Sequence, residues 1–326
     1  MRYGVCYKGS KNSVAEWIYS HFPKTENFYD LFAGGCAVTQ IALMKQEYSN
    51  YICNDIDADG IKLFLNAIYG KYQNEKRWIS RDDFFRLKDT DPYIKYAWSF
   101  GNNGRDYLYS KEIEPYKKAW HYAIYFHDYS LAKNLGLDLE SIEPIADIYD
   151  RYIATKRITE KFTDENIRSC NHFERQQQLE ALNRLQSLQS LQSLQSLRSL
   201  QSLQSLRSLQ SLQSDFAYVK IRNNSLLYCD IPYRNTNAYG KQNINTFDYE
   251  RFYSWCRQQK ELVIISEYTM PDDFICIDEI EKTVGMNSGA DQKAIEKLFI
   301  PEHQKELYER IKPTIYKQQE FCFEFE

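Results

Sequence analysis

Apolar positions in the first seventy residues fall into two alternating rhythms. SVAEWIYSHF (13–22), GGCAVTQIALMKQ (34–46) and GIKLFLNAIYGKY (60–72) carry the spacing of helices. NFYDLF (27–32) and NYICND (50–55) are short, apolar and aromatic, as buried strands are. Their order is the βαβ pattern of a doubly wound, mostly parallel sheet. From 71 to 178 the pattern changes to aromatic and charged stretches with helical periods, such as SKEIEPYKKAWHYAIYFHDY and EPIADIYDRYIATKRITEKF, which predict a separate, mostly helical lobe. After residue 214 the first pattern returns. NSLLYCD (224–230) and ELVIISEY (261–268) predict strands and FDYERFYSWCRQQ (247–259) a helix. KAIEKLFI (293–300) predicts a further strand, and EFCFEFE (320–326) an edge strand with polar alternation.

Between the lobe and the returning α/β pattern lies a triplet repeat, residues 179–214, with Leu at every third position from 179 to 212. In an α-helix each Leu would be turned about 60° from the last, so no single apolar face results. A 3₁₀-helix would align every Leu, yet such helices rarely exceed a turn or so. The expectation is a long helical insertion of either kind, about 50 Å long as α or about 70 Å as 3₁₀. Its leucines need a partner, and a homo-oligomer assembled through the repeat is one way to supply it. The alternative is a tolerated expansion of a simple repeat with no task of its own. The implied organisation is residues 1–70 with 215–326 as one α/β domain, 71–178 as a helical lobe, and 179–214 as the repeat.

Composition narrows the class. With 43% hydrophobic and 26% charged residues the chain has the make-up of a soluble globular protein, and no apolar run is long enough to span a membrane. The N-terminus MRYGVCYKGSKN has no apolar signal core. Eight cysteines, scattered singly, suggest neither a disulfide framework nor a zinc site, and fit a reducing cytoplasm. A net charge of −4 argues against a general nucleic-acid coat but allows a local basic patch.

Candidate chemistry sits where strands end. FAGGCAVT (32–39) follows a strand and opens a helix, and Gly34 and Gly35 permit a tight bend and close approach of a ligand; an ordinary strand-to-helix turn is the plainer reading. About twenty residues further on, Asp55 ends the next strand, where a carboxylate is placed to accept from both hydroxyls of a ribose. Asp30 could hold a cationic amine or cap a turn. Lys11 in YKGSKN could meet a ligand carboxylate or lie in solvent. In 226-LLYCDIPYRNT-236 an apolar strand ends in Asp230, Ile231, Pro232 and Tyr233. The Asp230 carboxylate and the Ile231 carbonyl, held by the fixed φ of Pro232, form two acceptors for an aromatic amine, and Tyr233 a flat face for its ring. An Asp-led turn with a buried Tyr is the alternative. In the helical lobe, 98-WSFGNNGRDYLYSKE-112 places Asn102, Asn103, Arg105 and Lys111 among aromatics, suited to phosphate and base contact or to a packed aromatic loop.

Taken in order, YKGSKN, DLFAGG, YICNDID, YCDIPY and VIISEYTMP resemble the DNA adenine methylase family, with DIPY as a variant of its more usual DPPY. The resemblance covers roughly the first seventy residues and those after the repeat, and the variable lobe falls where that family places target recognition. Two departures stand out: Ser10 where a second glycine is usual, and the repeat itself. The resemblance implies a Rossmann-like methyltransferase sheet, S-adenosylmethionine as cofactor, and transfer of its methyl group to N6 of an adenine flipped out of double-stranded DNA. It implies that Tyr7, Lys11, Asp30, Phe32, Gly34, Gly35 and Asp55 line the cofactor site, and that Asp230, Ile231, Pro232 and Tyr233 hold the adenine. It implies no metal and a bacterial or phage cytoplasm. Other readings are an amino methyltransferase acting on RNA, cytosine N4 or protein glutamine, and a non-catalytic DNA-binding scaffold built on the repeat. A nicotinamide dehydrogenase is disfavoured because the glycine loop lacks the full G-x-G-x-x-G spacing.

Overall fold

The computed structural model describes residues 3–168, 189–205, 209–233, 247–284 and 292–313. The chain divides into two compact units: Met1–Tyr69 with Leu200–Glu326, and Gly70–Ser199.

The first unit is built on a seven-stranded sheet in the order β3-β2-β1-β4-β5-β7-β6. Strands β1 (Asn27–Asp30), β2 (Asn50–Asn54), β3 (Leu209–Leu212), β4 (Ser225–Asp230) and β5 (Leu262–Glu267) run parallel. β6 (Phe274–Val284) and β7 (Gln292–Pro301) form an antiparallel pair, and β7 inserts antiparallel beside β5. Helices α1 (Ala15–Ser20), α2 (Ala37–Lys45) and α3 (Asp59–Ile68) occupy the N-terminal half. The predicted alternation of 13–72 is therefore present, and the fold is mixed α/β. The strand order reverses between β1 and β4, and at such a switch point the carboxyl ends of neighbouring strands open a crevice for ligands. Asp30 and Asp230 end these two strands.

Period-two alternation assigns the strand residues to faces. Leu227, Cys229, Ile231, Val263 and Ile265 join an apolar cluster with Phe252, Tyr253 and Cys256 of the helix Tyr249–Gln258. The opposite phase of β4, containing Tyr228 and Asp230, shares its face with Phe28, whose ring and that of Tyr228 both pack on Phe22.

The second unit is helical, with α4 (Arg81–Leu87), α5 (Pro92–Ala97), α6 (Glu114–Phe126), α7 (Ser130–Asn134), α8 (Ile148–Arg168) and α9 (Gln189–Ser199). Its starts follow capping rules: Ser80 accepts from the Asp83 N–H, and Asp91 caps a helix whose first residue is Pro92. Trp78 packs edge to face against both Trp98 and His121.

The repeat is not helical throughout, and this corrects the expectation for 179–214. Its described part runs as α9, then a 3₁₀ segment Leu200–Ser205, then strand β3. Leu194 and Leu197 are buried in α9, which lies against α5. An α-helix would carry the next leucines off that face, and at this point the chain tightens to three residues per turn. Leu200 and Leu203 then align and bury beside α3. These four leucines are covered by the chain itself rather than presented as a stripe for self-association. The last triplets enter a parallel ladder with β2, Tyr51 opposite Leu209 through Asn54 opposite Leu212. Here the unpaired edge of β2 outweighs the helix preference of Leu and Gln. Because three is odd, Leu209 and Leu212 point to opposite faces of β3, and Leu212 is exposed. Asn54 fixes the register, accepting from the Ser214 N–H at 3.1 Å and donating to the Ser214 carbonyl at 3.0 Å. Leu200→Ala is expected to destabilise the protein by about 2–5 kcal/mol in urea unfolding, as for a buried leucine elsewhere. A negligible change would show that the 3₁₀ row contributes nothing to the fold.

The edge strand expected at 320–326 lies outside the described residues. The sheet's edge beyond β7 is β6, which sequence patterning overlooked because 276–282 is mostly polar. No helix among the described residues is long and apolar enough to cross a membrane.

Candidate active site

The glycine bend between β1 and α2 is crowded by backbone and by Tyr7. Gly34 has φ +45°, and the next-but-one residue, Cys36, is left-handed at φ 60°. A Cβ on Gly35 would lie 2.7 Å from the Tyr7 Cβ, and one on Gly34 would lie 3.1 Å from the Tyr7 ring. The Val5 N–H donates to the Gly35 carbonyl at 2.8 Å, drawing the N-terminal segment over the bend. Tyr7 thus packs against both glycines.

Two carboxylates flank the bend. Asp55, one residue past β2, accepts from the Gly34 N–H at 2.8 Å and the Asp57 N–H at 2.9 Å. Burial nevertheless raises its pKa, outweighing those hydrogen bonds. Asp30 is buried completely: Oδ2 accepts from the Thr39 hydroxyl at 2.7 Å, while Oδ1 has no hydrogen-bond partner among the described residues. Burial, together with the charges of Asp230 and Asp55, pushes its pKa up to about 7. An orphaned buried carboxylate beside a glycine bend suits a cationic group on a ligand. Phe32 faces a different neighbourhood, an aromatic cluster with Phe216, Phe247 and Phe252.

The end of β4 brings the DIPY residues together. Ile231 continues the apolar phase of Leu227 and Cys229 into the core, which anchors the turn with its side chain. The Tyr249 hydroxyl donates to the Pro232 carbonyl at 2.8 Å and fixes the following peptide. Asp230 is partly exposed, and its Oδ1 receives the Lys11 ammonium at 2.6 Å. Lys11 is buried, lies 4.4 Å from the centre of the Tyr233 ring, and is 3.7 Å from Glu296. Burial disfavours its charge, yet the Asp230 and Glu296 carboxylates outweigh burial and hold its pKa above the usual value. Tyr233 also donates its hydroxyl to Glu296, and its ring meets that of Tyr268 at 4.4 Å between centres. Burial first, then the Asp230 and Glu296 charges, pushes the Tyr233 pKa up, so it stays a neutral donor.

The sequence model of the D12 class N6 adenine-specific DNA methyltransferases matches residues 7–280. The chain belongs to this family. It is an adenine-specific DNA methyltransferase, and the matched span includes both the glycine bend and the end of β4. The methyltransferase therefore has DNA as its substrate.

The structure brings Tyr7, Gly34, Gly35 and Asp55 together at the bend, and Lys11 together with Asp230 and Tyr233 at the end of β4. Lys11 meets a carboxylate of the chain itself. Glu296, Thr39 and Tyr268 were not singled out in the sequence. A signal for Glu296 was present: in KAIEKLFI it is in phase with Leu298 and Ile300, both buried, so an acid sits on the buried side of a strand. In the helical unit, the loop around Gly101 (φ 57°), Asn102 (φ 55°) and Gly104 (φ 69°) is closed by a Ser99 to Tyr107 bridge. Asn102 donates to the Tyr96 carbonyl at 2.8 Å. Asn103 donates to Asp106 at 2.8 Å and accepts from the Arg105 N–H at 2.8 Å. Both amides are engaged in shaping the turn, while Arg105 and Lys111 are exposed.

Proposed function

We propose that the protein transfers a methyl group from S-adenosylmethionine to N6 of an adenine flipped out of a specific site in duplex DNA. The observation that carries this reading is the placement of Asp30 and Asp230 at the ends of adjacent parallel strands, one beside the glycine bend and the other leading DIPY. The donor residues fit such a cofactor. Asp30, with a buried oxygen that has no hydrogen-bond partner among the described residues, would take its ammonium group, Asp55 its ribose hydroxyls, and the bend of Gly34 and Gly35 the chain between them. When bound, the cofactor supplies a methyl group on a cationic sulfur, electrophilic enough to react with a poor nucleophile.

The chain's own residues do the rest. Adenine N6 is a weak nucleophile because its lone pair is delocalised into the ring. Asp230 and the Ile231 carbonyl, accepting its two N–H groups, hold the amine and draw its lone pair out of that plane. As N6 gains the methyl it becomes tetrahedral and cationic, and the Asp230 carboxylate stabilises that charge. The new ammonium is acidic and gives its proton to Asp230 or to solvent, so no strong base is required. Tyr233, fixed through its hydroxyl, supplies the aromatic wall that offsets the few kcal/mol spent on unstacking the base. Arg105 and Lys111 suit phosphate contact.

The test is direct. Purified protein incubated with labelled S-adenosylmethionine and duplex DNA is expected to yield N6-methyladenine at one recurrent sequence, read by methylation-sensitive sequencing. Label appearing in RNA, on cytosine or on protein, with none on adenine in DNA, would refute the reading.

A further inference from the structure

We infer that Glu296 is a positioning residue that orients both halves of the DIPY turn: the Asp230 carboxylate through Lys11, and the Tyr233 ring through its hydroxyl. The inference rests on the reading of the site above and extends it to a strand outside the matched residues 7–280.

Glu296 sits in the middle of β7 and is fully buried. A carboxylate there costs several kcal/mol unless it is paired and hydrogen-bonded, so its partners define its role. Lys11 and Tyr233 are among them. The 2.6 Å contact of Lys11 with Asp230 is a charge-assisted hydrogen bond, whereas its 3.7 Å separation from Glu296 is an ion pair without one. Lys11 thus leans on Asp230 with Glu296 behind it. That arrangement keeps a buried ammonium charged while leaving its hydrogen bond for Asp230. With one carboxylate alone Lys11 would lose part of the field that holds it ionised. The Tyr233 hydroxyl, anchored on the same carboxylate, fixes the rotation of a ring that also contacts Lys11 and Tyr268. A single side chain therefore links the orientation of the acceptor to that of the aromatic wall.

Glu296→Gln tests this, because the amide keeps the volume and an acceptor for Tyr233 but loses the charge that faces Lys11. Brief acylation with acetic anhydride followed by peptide mass spectrometry reads the reactive, neutral fraction of Lys11. Acylation is expected to be about tenfold faster in E296Q than in the wild-type protein, the change produced by a pKa lowered by about one. Glu296→Asp, which retains the charge one methylene short, is expected to fall between the two and serves as the conservative variant should E296Q not fold. Single-turnover methyl transfer is expected to drop about 10- to 100-fold in E296Q. Affinity for S-adenosylhomocysteine by calorimetry should stay within about twofold. Lys11 acylation at the wild-type rate, or product affinity lost in step with transfer, would overturn the assignment. A wild-type protein that methylates no DNA, while E296Q still accelerates Lys11 acylation, would instead refute the adenine reading and leave the role of Glu296 standing.

Discussion

Asp230→Ala is expected to lower single-turnover methyl transfer by on the order of 10³-fold, the scale seen when one preorganised group is removed from a site of developing charge. Three features argue for so large an effect. Asp230 is the acceptor at the tip of β4, it is held at 2.6 Å by Lys11, and N6 becomes positively charged only as the bond to the methyl forms. The interaction is therefore stronger in the transition state than with bound substrate, and its loss falls on kcat rather than on KM. Asp230→Asn separates shape from charge. It keeps an oxygen acceptor, so base capture measured with a fluorescent adenine analogue should persist, but transfer should remain severely reduced. Removing Asp230 leaves Lys11 paired with Glu296, so S-adenosylhomocysteine affinity is expected to hold. Retention of more than about a tenth of the wild-type rate in Asp230→Ala would show that some other group answers the charge on N6.

Asp30→Asn is expected to move two properties in opposite directions. Asp30 is completely buried and its pKa is about 7 in the folded protein, above its ordinary value of 3.8. A carboxyl group raised in this way binds a proton in the folded chain that the unfolded chain has already released. Stability therefore falls as pH rises from about 4 to about 7, and beyond that window the ionised carboxylate opposes folding by on the order of 4 kcal/mol. The neutral Asn removes that cost while its carbonyl oxygen can still accept from the Thr39 hydroxyl. Urea unfolding at pH 8 should show the variant more stable than the parent, with the difference shrinking toward pH 4. Calorimetry should show S-adenosylmethionine affinity falling at least about tenfold, since the unpartnered Oδ1 no longer carries charge to meet an ammonium group. A variant that bound cofactor normally would refute the role of Asp30. One less stable at pH 8 would mean that the carboxylate is satisfied in a way the geometry of its two oxygens does not suggest.

Much of this arrangement is legible in the sequence, for identifiable reasons. Strands buried on both faces announce themselves as unbroken apolar runs, and a residue that must stop such a run, as Asp30 and Asp230 do, stands out by contrast. Glycines in the bend are visible because no other residue tolerates the approach of Tyr7 and Val5. What escaped notice is non-local. β6 is largely polar and is a strand because β7 pairs with it. Glu296 acquires significance only when the sheet brings it beside Lys11, far away in sequence. The amides of Asn102 and Asn103 looked like ligands for DNA, but loop closure turns them onto neighbouring backbone and acidic groups. The repeat was the hardest segment, because its uniform triplets fit three geometries poorly and the chain adopts all three in succession.

That succession bears on how such a gene can change. The two triplets at 209–211 and 212–214 are identical, LQS, whereas the one before them is LRS, and Asn54 grips the main chain of Ser214 at the downstream end of the ladder. Duplication of one LQS unit by slippage during replication would leave the same letters opposite β2, whereas loss of one would bring an Arg into the place of Gln210 opposite Ile52. A surplus unit would be taken up upstream of the strand, leaving the ladder with β2 in register.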